Sequence, residues 1–416
     1  MDMAKVAVIA TLDTKGTEAG FLRSCLEELG HEALIMDTGL LGEPLILPDI
    51  SRQELMGLAG ADDLDALRRE GKAALMAAMT RGLREALVKL QREGKIQGAL
   101  SLGGGQGTAI SAAAMQALPV GFPKVIVSTI ACGTARFGDY VGSRDIVMIP
   151  SIADICGLNG ITVPILASAC GAVSGMIAAR RQTVRSASGP RVALTMAGVT
   201  TRCVMRVKEL LDNKGYETIV CHCNVVGAQV IDEYAGEGRL DGVLDITPHD
   251  VGGMLFGGLM SCGPDRFARI YASGIPVVTV PGAVDFILKG PEPEVDPELL
   301  KRPHYRHTPF HTHIRATWEE MYRAGAYLAE RHNGCKGRNA ILVPENGYSQ
   351  QNAPGGLIYD PQANRGFVQG VLEHKADSVE FGLRKLHIND PAFAEEIVAV
   401  FEKLLEPQAE RSGKHE

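Results

Sequence analysis

The chain has no C-x-x-C pair among its nine cysteines, which stand at 25, 132, 156, 170, 203, 221, 223, 262 and 335. That scatter excludes a disulfide framework and reads as reduced thiols in a cytosolic protein. It also lacks an excess of positive charge. Forty-two Lys and Arg against 49 Asp and Glu give a formal net charge of −7, so a nucleic-acid partner is not expected. No nucleophile elbow, kinase signature or metalloprotease helix occurs, and no Lys-Ser/Thr follows a glycine loop as in a P-loop. The sequence therefore declares no reaction, and a fast P-loop ATPase mechanism is not expected. The first apolar run, residues 6–10, is too short for a signal peptide and reads as a strand. One stretch, residues 155–179, is free of charge for 25 residues and is long enough for a membrane span. Its Asn159, Pro164, Ser168, Ser174 and several glycines read instead as a buried helix pair. The expectation is a soluble, cytoplasmic protein with no membrane partner.

What is present is glycine, 48 of 416 residues, placed at turns after apolar runs. The length exceeds one ordinary core and predicts two domains. Apolar runs at 6–10, 33–37, 96–100, 124–128 and 146–149 alternate with helical patterns at 19–29, 49–59, 64–93 and 109–117. A polar segment with Gly and Pro, residues 183–191, marks the boundary. Beyond it the alternation restarts, with strands at 192–196, 217–222, 242–246, 276–280, 340–344 and 379–386, and a long irregular excursion over 289–312. The fold class expected is α/β: two Rossmann-like domains, 1–184 and 190–416, with parallel sheets flanked by helices and a cleft between the domains.

The organising stretch is Ser101-Leu-Gly-Gly-Gly-Gln-Gly-Thr-Ala-Ile110, an apolar run, a glycine turn and an Ala-rich segment. Gly103, Gly104, Gly105 and Gly107, with Gln106, predict backbone at positive φ and a helix start whose N–H groups cradle an anion. Thr108 would cap that helix or donate to a phosphate oxygen. The turn after the first strand, residues 11–18, adds Asp13 for magnesium or a ribose hydroxyl, Thr14 as a donor, Lys15 for phosphate, and Gly16. Ser128, Thr129 and Gly133 follow a third strand at the same edge.

The second half carries the proton-transfer candidates. Cys221-His-Cys223 supplies two ligands of a metal pair but reads first as buried thiols. His249, after the strand ending at Ile246, is a candidate base that the adjacent Asp250 would hold. The run from His304 to Arg315 puts four histidines and two arginines within twelve residues, suited to binding an anion, ligating a metal or shuttling protons. Pro309 rules out an uninterrupted helical His307–His311 pair, whereas His311 and His313 share one face of an extended segment.

Thr11-Leu-Asp-Thr-Lys-Gly16, Gly103–Thr108, Ser128-Thr129, Val141–Ile146, Gly263-Pro-Asp-Arg266, Pro281–Asp285 and His387–Ala394, in this order, make the chain resemble the UPF0261, or Tm-1-like ATP-binding, family along essentially its full length. The resemblance implies two Rossmann-like subdomains, ATP bound by the first, and a homo-oligomer, at least a dimer. By motif it places Asp13, Thr14, Lys15, Gly16, Gly103–Thr108 and Ser128-Thr129 in the nucleotide-contacting loops. Where family members usually carry Ala-Ser-Gly and Arg-His-Asn-Pro, this chain has Ala131-Cys-Gly133 and Arg306-His-Thr-Pro309. Three readings follow. In the first, ATP, with magnesium near Asp13, serves a second domain acting on a small anionic metabolite through His307, His311, Arg315 and His249. In the second, ATP is a structural or sensing ligand of a module that works through a protein partner. In the third, the chain is a metal-dependent lyase or hydrolase of sugar acids that uses no nucleotide.

Overall fold

Alternation inside each strand decides the layering. In β1 (Lys5–Ala10) the side chains of Ala7 and Ile9 enter one buried cluster, and those of Val6, Val8 and Ala10 enter another. A strand apolar on both faces must be covered on both, which is the signature of a parallel sheet. β1 pairs in parallel with β2 (Glu32–Asp37) and β3 (Gly98–Gly103), followed by β4 (Lys124–Ser128) and β5 (Val147–Pro150), in the order β2-β1-β3-β4-β5. Helices Arg52–Leu58, Lys72–Arg92 and Gly105–Met115 cover one face; Leu12–Glu28 and Thr162–Arg181 cover the other. These elements make up the first of two units, residues 1–185 and 186–416, in a computed structural model that describes residues 3–61, 67, 69–132, 137–181 and 189–406.

The second unit is wound on six parallel strands in the order β14-β13-β9-β8-β6-β7. They are β6 (Arg191–Met196), β7 (Glu217–His222), β8 (Gly242–Asp245), β9 (Val277–Thr279), β13 (Asn339–Pro344) and β14 (Glu380–Arg384). Helices Thr201–Asn213 and Pro391–Leu405 pack on one face; Val225–Gly236, Ala268–Ser273, Trp318–Asn333 and Pro361–His374 pack on the other. The two α/β units with parallel sheets are those the sequence predicts.

Three local expectations are corrected. Residues 289–312 are not irregular throughout: β10 (Phe286–Lys289), β11 (His304–Thr308) and β12 (His311–Arg315) form a small antiparallel sheet in the order β10-β12-β11. Pro309 and Phe310 make the turn of its hairpin. The turn at 12–18 is already helix, continuous to Glu28 across a kink at Lys15 (φ −125°, ψ 19°). The charge-free segment holds one helix, Thr162–Arg181, and not a buried pair. It is long and apolar enough to cross a membrane by composition, and about a third of it (33%) is buried. Leu166, Ala169, Cys170, Val173 and Ile177 form that buried stripe and pack among the side chains of the sheet. All nine cysteines are free.

Candidate functional site

In the first unit the chain leaves β1 toward β2 on one side and, later, β3 on the other. Ligands in open α/β sheets bind outside the strand carboxyl ends at such a reversal. The glycine loop stands there. Gly104 is the N-cap of the 11-residue helix Gly105–Met115, extended at φ −82° and ψ −160° and without a side-chain cap. The first-turn N–H groups of a helix have no intrahelical partner, and here no cap side chain covers them. None of the loop glycines has positive φ, contrary to expectation. Gly103 is needed because a Cβ there would stand 3.1 Å from Gly107 Cα, where strand and helix cross closely. At Gly105 a Cβ would meet nothing within 4 Å, so that backbone faces open space.

The flanking side chains are more committed than the sequence suggests. Thr108 is fully buried and its hydroxyl bonds Ser128 Oγ at 2.7 Å, so neither caps the helix nor faces a ligand. Thr129 lies beside Gly104, its Oγ1 3.6 Å from where a Cβ would be. Asp13 Oδ2 accepts the N–H groups of Leu41 and Gly42 at 3.3 and 3.2 Å, and Thr14 bonds Thr11 across the first helical turn. Asp13 therefore anchors a loop through Oδ2. Lys15 Nζ donates to the Ile155 carbonyl, not toward the glycine loop, and Gly16 is required by Leu45, whose Cβ would be 2.7 Å from an added Cβ. Gly133 lies outside the described residues. What remains at this edge is backbone: Gly104 to Gly107, with Gln106 and Thr129 alongside.

The second unit reverses between β6 and β8, and there the site is made of side chains. His249 opens the helix His249–Phe256 just past β8. Its Nδ1 donates to the Ala283 carbonyl at 2.7 Å, which leaves Nε2 as an acceptor with no hydrogen bond among the described residues. Ala283 holds that carbonyl from a left-handed backbone, φ +58°, a strained state for alanine. Burial keeps the His249 imidazole below its ordinary range, hence neutral at pH 7. Asp250 does not orient it. Asp250 and Asp245, both fully buried, share the guanidinium of Arg266 at 2.7–3.0 Å. This clamp spans 16 and 21 residues of sequence, and no local motif signals it.

Four rings form a column from the small sheet to His249, its last pair tilted by 32°. His307 lies 4.6 Å from His313, His313 4.0 Å from Phe286, and Phe286 4.7 Å from His249, between centroids. Tyr305 Oη bonds His313 Nδ1 at 2.7 Å. His307 is exposed, and His311 is half-buried with Nδ1 3.1 Å from Thr308 Oγ1. Arg315, expected to meet a ligand, is turned inward instead. It donates to the carbonyls of Asp285 and Asp360 and to Asn364 Oδ1, at 2.5, 3.0 and 2.7 Å. It braces the start of the helix Pro361–His374. Asp285, not signalled by the sequence, is fully buried; Ser349 donates to its Oδ2, and Oδ1 has no hydrogen-bond partner among the described residues. Among the described residues no three His, Cys, Asp or Glu side chains are placed to hold a metal.

Burial, reinforced by His307, His249 and His311, pushes His313 down to about 3. A histidine depressed on folding stabilises the fold above its unfolded value, about 6.5, and that contribution is lost as pH falls toward the folded one. His332, held at about 4 by burial, acts in the same window. We expect stability to fall steeply below pH 6.5, and His313→Phe to flatten that fall. Urea midpoints of the two proteins that run parallel between pH 7 and 5 would contradict this.

Two family models match successive stretches of the chain. Residues 4–182 match the Uncharacterised protein family (UPF0261) N-terminal domain, and residues 189–405 match its C-terminal domain. A UPF0261 protein of Clostridium tetani is 35% identical over 96% of this chain and 98% of its own length. One of Rhizobium meliloti is 36% identical over 97% and 100%. The ToMV susceptible protein tm-1(GCR26) of Solanum lycopersicum is 33% identical over 95% of this chain, which spans 55% of it. A Methanocaldococcus jannaschii UDP-GlcNAc 2-epimerase structure covers 97% of the chain at 8% identity and a TM-score of 0.24, too slight a likeness to bear on chemistry. On the strength of both domain models and the full-length relatives, the chain belongs to the UPF0261 family.

Proposed function

We propose that the first unit binds ATP by its phosphates and that the second unit acts on a small anionic molecule. The observation that carries the first half is the uncapped helix start at Gly104–Gly107, set at the β1/β3 reversal with open space over Gly105. Helix N-termini favour phosphate through free N–H groups and the helix dipole. ATP would meet backbone there, not Lys15 or Asp13. For the second unit, support comes from His249, a neutral imidazole with a free Nε2 at the β6/β8 reversal, suited to taking a proton. Arg315 leaves this list because its guanidinium is spent on the protein.

Calorimetry with ATP and magnesium tests the first half. Gly105→Val, which fills open space without a clash, should weaken ATP at least about tenfold and leave the unfolding midpoint unchanged. Lys15→Ala should weaken it far less. Absence of ATP binding by ligand-free wild-type protein sinks the assignment. One observation favours a second reading, an ATP-binding module that works through a protein partner. Leu41, Leu45 and Leu47 are 83, 61 and 85% exposed on the loop that Asp13 holds, and contiguous exposed apolar side chains mark interaction surfaces.

A further inference from the structure

The second unit contains a pocket that none of the site residues above lines. It measures about 240 Å³ and is bounded by Gly198–Arg202 after β6, by Gln350 and Ala353 after β13, and by His387–Asp390 after β14. That is below the roughly 300–1,000 Å³ of sites for drug-sized ligands, the scale of a small metabolite.

Its walls are held by their own hydrogen bonds. Asn389 Oδ1 accepts the Cys203 N–H at 3.3 Å while Nδ2 donates to the Val199 carbonyl at 3.0 Å. His387 Nε2 donates to the Ser349 carbonyl at 3.0 Å, and its Nδ1 accepts the Asn389 N–H at 3.1 Å. Thr201 Oγ1 donates to the Ala197 carbonyl at 3.2 Å. The His387 ring is thereby fully used, while Asn389 keeps one amide N–H and Thr201 its acceptor lone pairs. Two charged groups are open as well. Arg202 is exposed and has no hydrogen bond or ion pair among the described residues. Asp390 uses Oδ2 to accept the His387 N–H at 2.7 Å and keeps Oδ1. Its charged groups are thus one planar cation and one carboxylate oxygen, and the uncharged Gln350 lines the same pocket.

Val199 ties this pocket to the histidine site. It lines the pocket and is buried in one small cluster with Ala283 and Phe286, the residues that hold and stack on His249.

We propose that this pocket recognises a small carboxylic acid bearing a neighbouring hydroxyl or ammonium group. Arg202 takes the carboxylate in a two-pronged ion pair, and Asp390 Oδ1 accepts the hydrogen bond of the second group. Phosphate satisfies Arg202 but offers a dianion to Asp390. The inference rests on the reading of the second unit as the half that meets a small anion, and it names that anion's class.

Titration calorimetry with the full chain tests it, using glycolate, glycine, acetate and inorganic phosphate as probes. Glycolate or glycine should bind, acetate at least tenfold more weakly, and Arg202→Gln should abolish the signal. Gly198→Val is the second variant. Nothing lies within 4 Å of its new Cβ and φ is not left-handed, so it fills the pocket without straining the fold. It too should abolish binding, whereas Gly105→Val in the first unit should not. Retention of glycolate or glycine by Arg202→Gln or Gly198→Val overturns the assignment to this pocket. Equal binding of acetate overturns the role of Asp390. Phosphate bound through Arg202 with neither glycolate nor glycine keeps the small-anion reading and overturns the carboxylate class. If no probe binds folded wild-type protein, both fall.

Discussion

Arg266→Ala is expected to destabilise residues 186–416 by about 3–5 kcal/mol, the usual cost of stranding a buried charge. The Arg266 side chain is 3% exposed, and those of Asp245 and Asp250 are fully buried. Removing it leaves two like charges in low dielectric with, among the described residues, only the Thr195 hydroxyl and the Cys223 thiol as side-chain donors to them. It also takes away a guanidinium placed 3.9 Å over the Phe267 ring. Arg266→Lys should recover part of the loss, since an ammonium keeps the charge but cannot present two forks to two carboxylates. Urea unfolding followed by far-ultraviolet dichroism reads the effect. A loss below about 1 kcal/mol would show that the clamp is paid back by solvent in the native state.

The second large effect is a reversal of sign. In an exposed helix interior, Gly→Ala stabilises by about 0.5–1 kcal/mol. Gly20, inside the helix Leu12–Glu28 with nothing within 4 Å of its Cβ position, should behave that way. Gly370 should not. A Cβ there would fall 2.1 Å from the Tyr322 carbonyl, and those at Gly366 and Gly325 would fall 2.4 Å from Trp318 O and 2.2 Å from Phe367 O. The helices Trp318–Asn333 and Pro361–His374 thus touch backbone to backbone, and no side chain can yield. We expect Gly370→Ala to cost about 1–3 kcal/mol or more by overpacking. Equal stabilisation by Gly20→Ala and Gly370→Ala would mean that the helices slide apart freely.

The parallel architecture was legible because buried strands such as Val6–Ala10 and Val125–Val127 are continuous apolar runs between glycine turns. The small antiparallel sheet was not. Its strands, His304–Thr308 and His311–Arg315, are polar and short, and Pro309 between them reads as a break although it is the turn. The glycine loop is visible in the sequence, but its cause is not: close strand–helix packing at Gly103 leaves no mark distinct from a left-handed turn. Lys15 and Arg315 read as ligand groups because charge at a strand end is visible in sequence, whereas the distant carbonyls that take up their N–H groups are not. Asp285 and the Arg266 clamp escaped for the same reason. Their partners are brought near only by the fold.

The ring column from His307 to His249 has one phenyl group in it, and that decides what can pass along it. Imidazoles joined by hydrogen bonds relay protons; faces in contact do not, and Phe286 has none to offer. A proton taken up by the exposed His307 therefore has no route through the stack to the buried His249. Charge is felt along the column even though a proton cannot travel it: His307 and His249 both help to keep His313 neutral, so the base is insulated from proton traffic but not from the field of the rings above it.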